Sequence, residues 1–158
     1  MKKFFVSIAI ALLLVIVITG MGLAALARTE ASGSFTSTSM IYSVTEDKFN
    51  EVINLSSTVT YTGTLEGTST LQGALTSHRD GSADFLGTET FTGLVNGIPG
   101  TLTFEVVGNS NLYQAIQLTS TITSSTGGLA SIQGVLSMTG IIKDNGPVGT
   151  YTGQIDDE

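Results

Sequence analysis

The stretch Thr90–Val106, TFTGLVNGIPGTLTFEV, decides the fold. Asn96-Gly97 is the strongest two-residue signal for a hairpin turn, because both residues tolerate the positive φ such a turn needs. On its N-terminal side, ADFLGTETFTG (83–93) alternates with period two. Ala83, Phe85, Gly87, Glu89 and Phe91 share one face; Asp84, Leu86, Thr88, Thr90 and Thr92 share the other. On the far side, Leu102, Phe104 and Val106 oppose Thr101, Thr103 and Glu105. Centring the turn on Asn96-Gly97 pairs Phe91 with Leu102 and Glu89 with Phe104. The two apolar faces then coincide, which a one-residue slip would destroy.

The same grammar extends backwards. INLSSTVTYTG (53–63) places Ile53, Leu55, Val59 and Tyr61 on one face, and the next segment places Leu65, Leu71 and Leu75 on one face. Leu65-Glu66-Gly67 reads as a three-residue loop pairing Tyr61 with Leu71, with Gly67 in the left-handed position. Arg79-Asp80-Gly81 similarly pairs Leu75 with Phe85. The recurring aromatic-Thr-Gly unit (Tyr61-Thr62-Gly63, Phe91-Thr92-Gly93, Tyr151-Thr152-Gly153) is therefore hairpin grammar. An inward ring is followed by an outward Thr, then by a Gly where the sheet bends.

The remaining strands are GSFTSTSMIYSV, YQAIQLTSTIT, ASIQGVLSMTG and GTYTGQI, with loops at Ser125–Gly128 and Asp144–Pro147. Only Thr45–Val52 has any helical character. Eight strands of 7 to 12 residues joined by short turns predict an all-β, eight-stranded antiparallel barrel. A two-sheet sandwich is the alternative. The Thr-rich outer faces favour a solvated barrel exterior.

The front of the chain reads differently. Met1-Lys2-Lys3 is basic, Phe4–Ile18 is apolar apart from Ser7, and Ala25-Leu26-Ala27 fits a small-x-small cleavage site. This is the anatomy of a secretory signal. Phe4–Ala27 also spans 24 residues, long enough to stay as a membrane anchor. Residues 1–27 are thus read as signal peptide or anchor, and 28–158 as the barrel domain. Either way the barrel is expected outside the cytoplasm, secreted or tethered.

From Arg28 on, four basic residues stand against thirteen acidic ones, a net charge of −9. That excludes nucleic acid as an expected partner. Membrane contact is confined to residues 4–27 if they are retained. With one His and no Cys, neither disulfides nor a transition-metal site is expected. No cofactor motif is present either: the Gly-rich stretches are turns without the strand-Gly-helix context of a phosphate loop.

TYTGTLEGTSTLQGAL, GTETFTGLVNGIPGTLTFEVVG and SSTGGLASIQGVLSMTG resemble a family of small prokaryotic barrel proteins of unassigned function. That family is grouped by shape with allene oxide cyclase and dirigent proteins. The resemblance covers about Ser34 to Ile155 and implies the same eight-stranded barrel. It implies no activity. Relatives often carry Gln-His where this chain has Glu105-Val106, so a His-based role does not transfer, and no catalytic residue of allene oxide cyclase can be matched by motif.

Glu89 is the candidate for chemistry. Its parity puts a carboxyl inside, beside Phe85 and Phe91 and opposite Phe104, where lost hydration raises its pKa and suits it to proton transfer. Tyr61 and Tyr151 are also inward and could hydrogen-bond it. Tyr61, Phe85, Phe91, Phe104 and Tyr151 are expected to line whatever space the barrel encloses. Glu66 and Glu105 have the solvated parity, and His78 has no nucleophile at a recognisable spacing.

Three functions fit. The first is a binding module for a small apolar or amphipathic ligand. The second is a cofactor-free cyclase or isomerase using Glu89. The third is an envelope structural protein, compatible with an oligomer, its barrel filled by its own side chains.

Overall fold

A computed structural model describes residues 28–46, 50–111 and 114–157. The proposed signal or anchor, 1–27, lies outside the described residues. The chain forms β1 (Thr29–Glu46), β2 (Glu51–Gly63), β3 (Leu65–Ser77), β4 (Ala83–Val95), β5 (Ile98–Ser110), β6 (Ala115–Gly127), β7 (Ile132–Lys143) and β8 (Gly146–Asp157). Each strand pairs antiparallel with the next, and β8 returns to β1, closing the barrel. A single closed sheet replaces the sandwich alternative. At 12 to 18 residues the strands run longer than the turn signals suggested. Thr45, Glu46, Glu51 and Val52 are strand, not helix.

Register follows the hairpin reading in two of three cases. Glu89 lies opposite Phe104 and Phe91 opposite Leu102; Leu75 lies opposite Phe85. The β2–β3 turn is corrected. It falls at Gly63-Thr64, so Tyr61 pairs with Gly67 and Leu71 with Ser57. Gly63 takes φ +105° there. The corner is fixed by β1: Thr64 donates its N–H to the Ser32 carbonyl at 2.9 Å, and its hydroxyl accepts from Ser32 N at 3.0 Å. These contacts are long-range, so the local turn pattern could not reveal them. The slip is four residues, an even number, so every side chain keeps its predicted face.

Glycine marks where the sheet bends. Gly67, Gly93, Gly100 and Gly127 are successive cross-strand partners from β3 to β6. A Cβ on Gly93 would sit 2.7 Å from the Phe91 ring and 2.9 Å from Gly67 Cα. The ring of an inward aromatic thus covers the glycine two positions on, filling the space a side chain would occupy.

The two ends of the interior differ. The closed end is packed by Leu65, Phe91, Val95, Leu102, Leu136, Tyr151 and Ile155, all buried. Leu129, from the β6–β7 turn, is 0% exposed and plugs that end. Toward the other end the inward residues Leu55, Leu71, Leu75, Leu118 and Ile142 are only partly buried. There β1 continues ten residues past Thr36, its last residue paired to β8, and pairs with β2 alone.

Candidate functional site

The half-packed end encloses a cavity of about 350 Å³. Asn109 and Ser110 at the end of β5 and the β7–β8 turn border it. The alternation that makes each strand also makes the wall: Ile53 and Leu55 from β2, Leu71 and Leu75 from β3, Phe85 from β4, Ile116 and Leu118 from β6. One side carries a hydroxyl stripe, Ser37, Ser39 and Ser57, with the Ser39 and Ser57 hydroxyls bonded at 2.7 Å. Lys143, Asp144 and Asn145 stand at the mouth.

Glu89 forms part of the floor, 1% exposed. The Tyr61 hydroxyl donates to its Oε1 at 2.8 Å. The Ser69 hydroxyl donates to the same oxygen in a short contact. Burial pushes the Glu89 pKa up, while the bonds from Ser69 and Tyr61 oppose that shift without cancelling it. Burial, then the neighbouring Glu89 charge, pushes the Tyr61 phenol well above its ordinary value, so Tyr61 keeps its proton. Tyr61 is clamped by rings: Phe91 edge-on at 5.8 Å, Tyr151 edge-on at 5.6 Å and Phe35 at 6.4 Å. Met138 closes the floor, its sulfur accepting from Ser120 at 3.3 Å.

The residues singled out in the sequence divide into two groups. Glu89, Tyr61 and Phe85 border the cavity. Phe91, Phe104 and Tyr151 are not among the cavity-lining residues; they are fully buried in packed interior. Tyr151 does not reach Glu89. Its hydroxyl accepts from Leu65 N at 2.8 Å and donates to the Thr62 carbonyl at 3.2 Å, pinning the β2–β3 corner. Ser69 was missed, although its parity with Leu65 and Leu71 was the available signal. Glu66 and Glu105 are exposed. His78, part-exposed at the β3–β4 turn, contacts Asp84 at 2.9 Å and Asn50 at 3.2 Å. Among the described residues, no three or more His, Asp or Glu side chains are grouped to hold a metal ion.

The fold has solved counterparts. A protein of unknown function from the DUF3224 family of Shewanella oneidensis MR-1 superposes with a TM-score of 0.67 at 19% identity, covering 83% of this chain and 98% of its own. The pterocarpan synthase dirigent protein GePTS1 superposes with a TM-score of 0.50 at 15% identity, covering 87% of this chain and 92% of its own. At such identities these likenesses establish the barrel alone. No curated protein matches the chain significantly. The model of one family, described as "Protein of unknown function (DUF3224)", matches residues 31–152, and the chain belongs to that family.

Proposed function

We propose that the barrel binds a small, largely apolar molecule in its open half, with a polar group of that molecule meeting Glu89. One observation carries this reading: a cavity of about 350 Å³ walled by Leu, Ile and Phe ends on a single buried carboxyl. That combination of apolar wall and few convergent polar groups is the usual composition of a small-molecule site, and the volume lies within the usual range. A barrel serving only as an envelope scaffold has no need of an unfilled half.

The experiment is a titration with the neutral fluorophore N-phenyl-1-naphthylamine. Saturable binding at one site per chain is expected, and Leu75→Trp, which fills the cavity, should abolish it. Binding that ignores Leu75→Trp would place the fluorophore elsewhere and sink the reading.

A second reading has Glu89 move a proton in a cofactor-free cyclisation or isomerisation. The raised pKa of this carboxyl favours it. Turnover of a bound molecule, lost in Glu89→Gln, would separate it from binding alone.

The barrel is further proposed to work outside the cytoplasm, on the strength of the basic start, apolar run and Ala25-Leu26-Ala27. N-terminal sequencing from the native host should find the chain starting near Arg28. Intact Met1 in a membrane fraction would favour the anchor, and intact Met1 in the cytosol would end the export reading.

A further inference from the structure

We infer that the cavity takes a neutral, largely apolar molecule bearing a carbonyl oxygen, which accepts a hydrogen bond from Oε2 of a protonated Glu89. The inference rests on the proposal that the cavity is a binding site, and names the chemistry of its occupant.

Two hydroxyls reach Glu89 from neighbouring strands. Tyr61 from β2 and Ser69 from β3 converge on one oxygen, Oε1. In a protonated carboxyl the oxygen that accepts two donors is the carbonyl-like one, so the proton of Glu89 belongs on Oε2. Glu89 contributes to the cavity floor while Oε1 is engaged with the wall. The remaining oxygen is therefore the one that meets an occupant.

The surroundings favour the proton. Glu89 lies across from Leu71 on β3 and Phe104 on β5. Tyr61 and Ser69 touch it, and Tyr151 lies behind the Tyr61 ring. All of these are uncharged, since the Tyr61 and Tyr151 phenols are both pushed up by burial. The charged members of the cavity lining besides Glu89 are Lys143, the last residue of β7, and Asp144 in the β7–β8 turn, both at the mouth. A carboxylate held among neutral groups away from water is costly, and protonation removes that cost.

A protonated carboxyl with Oε1 occupied offers an O–H donor to the cavity. The matching ligand group is an acceptor without a charge: a ketone, aldehyde, ester or lactone carbonyl. An amine would demand the ionised carboxylate, and a hydrocarbon would leave the buried donor unpaired.

The test uses three molecules of nearly one shape: 2-acetylnaphthalene, 2-ethylnaphthalene and 1-(2-naphthyl)ethylamine. Calorimetric titration compares them over a pH series from acid to mildly alkaline, because burial raises the Glu89 pKa. Wild type should bind the ketone about five- to tenfold tighter than the hydrocarbon at the acid end, the worth of one net hydrogen bond. That preference should fade as pH rises through the folded pKa of Glu89. Glu89→Gln keeps an N–H donor at the Oε2 position, so its preference should persist and lose its pH dependence. Glu89→Leu should bind ketone and hydrocarbon alike.

If the amine binds best, with affinity rising with pH, the carboxylate is ionised and the inference is overturned. Equal affinity for ketone and hydrocarbon in wild type at the acid end overturns it as well, while leaving the cavity a binding site. Failure of all three molecules to bind overturns the cavity reading along with it.

Discussion

The hydroxyl of Tyr61 and the carboxyl of Glu89 meet at 2.8 Å in the barrel interior, 28 residues apart in the chain. Tyr61 is held by three aromatic neighbours, so the donor is positioned without help from the carboxyl. Rings that fix a donor reduce the entropy lost in making the bond. The pair is a preorganised polar contact inside an apolar wall.

Removing that donor should be visible at once. Tyr61→Phe leaves Oε1 with Ser69 alone. The Tyr61 bond lowers the Glu89 pKa, so its loss should raise that pKa further. The variant should be destabilised by about 1–3 kcal/mol at neutral pH, as expected for the loss of one hydrogen bond to a buried carboxyl, and by less in acid. Urea unfolding at several pH values checks this, together with NMR titration of the Glu89 side-chain carboxyl. A pKa unmoved or lowered would contradict the geometry.

Glu89 itself should govern part of the pH dependence of stability. Its folded pKa lies above its ordinary value of 4.5, so between the two values the folded state holds more protons than the unfolded. Stability from this group is then complete below the unfolded pKa and is lost as pH rises through the folded one. Glu89→Gln should flatten the profile in that window. Parallel curves for wild type and variant would show that the carboxyl is solvated.

Two glycines distinguish strain from crowding. Gly97 sits in the β4–β5 turn at φ +81°, and a Cβ there would have nothing within 4 Å, so only conformation is at stake. Gly97→Ala should cost about 1–2 kcal/mol, the cost of a left-handed residue with a Cβ. Gly93→Ala meets the Phe91 ring and the Gly67 backbone. It should cost about 1–3 kcal/mol or more through overpacking. Denaturation midpoints at constant slope measure both. A Gly93→Ala variant as stable as wild type would mean that the rings do not rest on the glycines.

The closed end should be separable from the open one. Leu129→Ala removes a fully buried plug and should destabilise the barrel by about 2–5 kcal/mol, as such truncations do. Because Leu129 does not line the cavity, affinity for N-phenyl-1-naphthylamine should stay within about twofold of wild type, below the effect of one hydrogen bond. Thermal unfolding and fluorescence titration on the same preparation decide it. Loss of both together would show that the two halves are one cooperative packing unit.

Much of this architecture was legible because parity is a robust signal. Phe85, Glu89, Phe91, Leu102 and Phe104 face inward as alternation requires, and the Asn96-Gly97 turn sets their register. Even the misplaced β2–β3 turn, two residues off and shifting the register by four, kept Tyr61 inside. What alternation could not supply is depth along the strand. Phe91 and Glu89 share a face, yet only Glu89 borders open space. That difference depends on Leu129 and Tyr151 arriving from distant parts of the chain to fill one end. Ser69 was overlooked for a related reason: a small hydroxyl on an inward face gains meaning only once its neighbour across the sheet is known.

The pairing of β1 with β8, from Thr29 opposite Ile155 to Thr36 opposite Val148, has a kinetic consequence. Every other ladder joins consecutive strands and can zip from a short turn. This one joins the ends of the domain, so its loop-closure entropy is the largest. The strand that shuts the barrel is also the last to be synthesised. Until it arrives, the meander exposes two raw edges capable of pairing with other chains. Loss of the final dozen residues should therefore yield sticky, self-associating material rather than a smaller barrel.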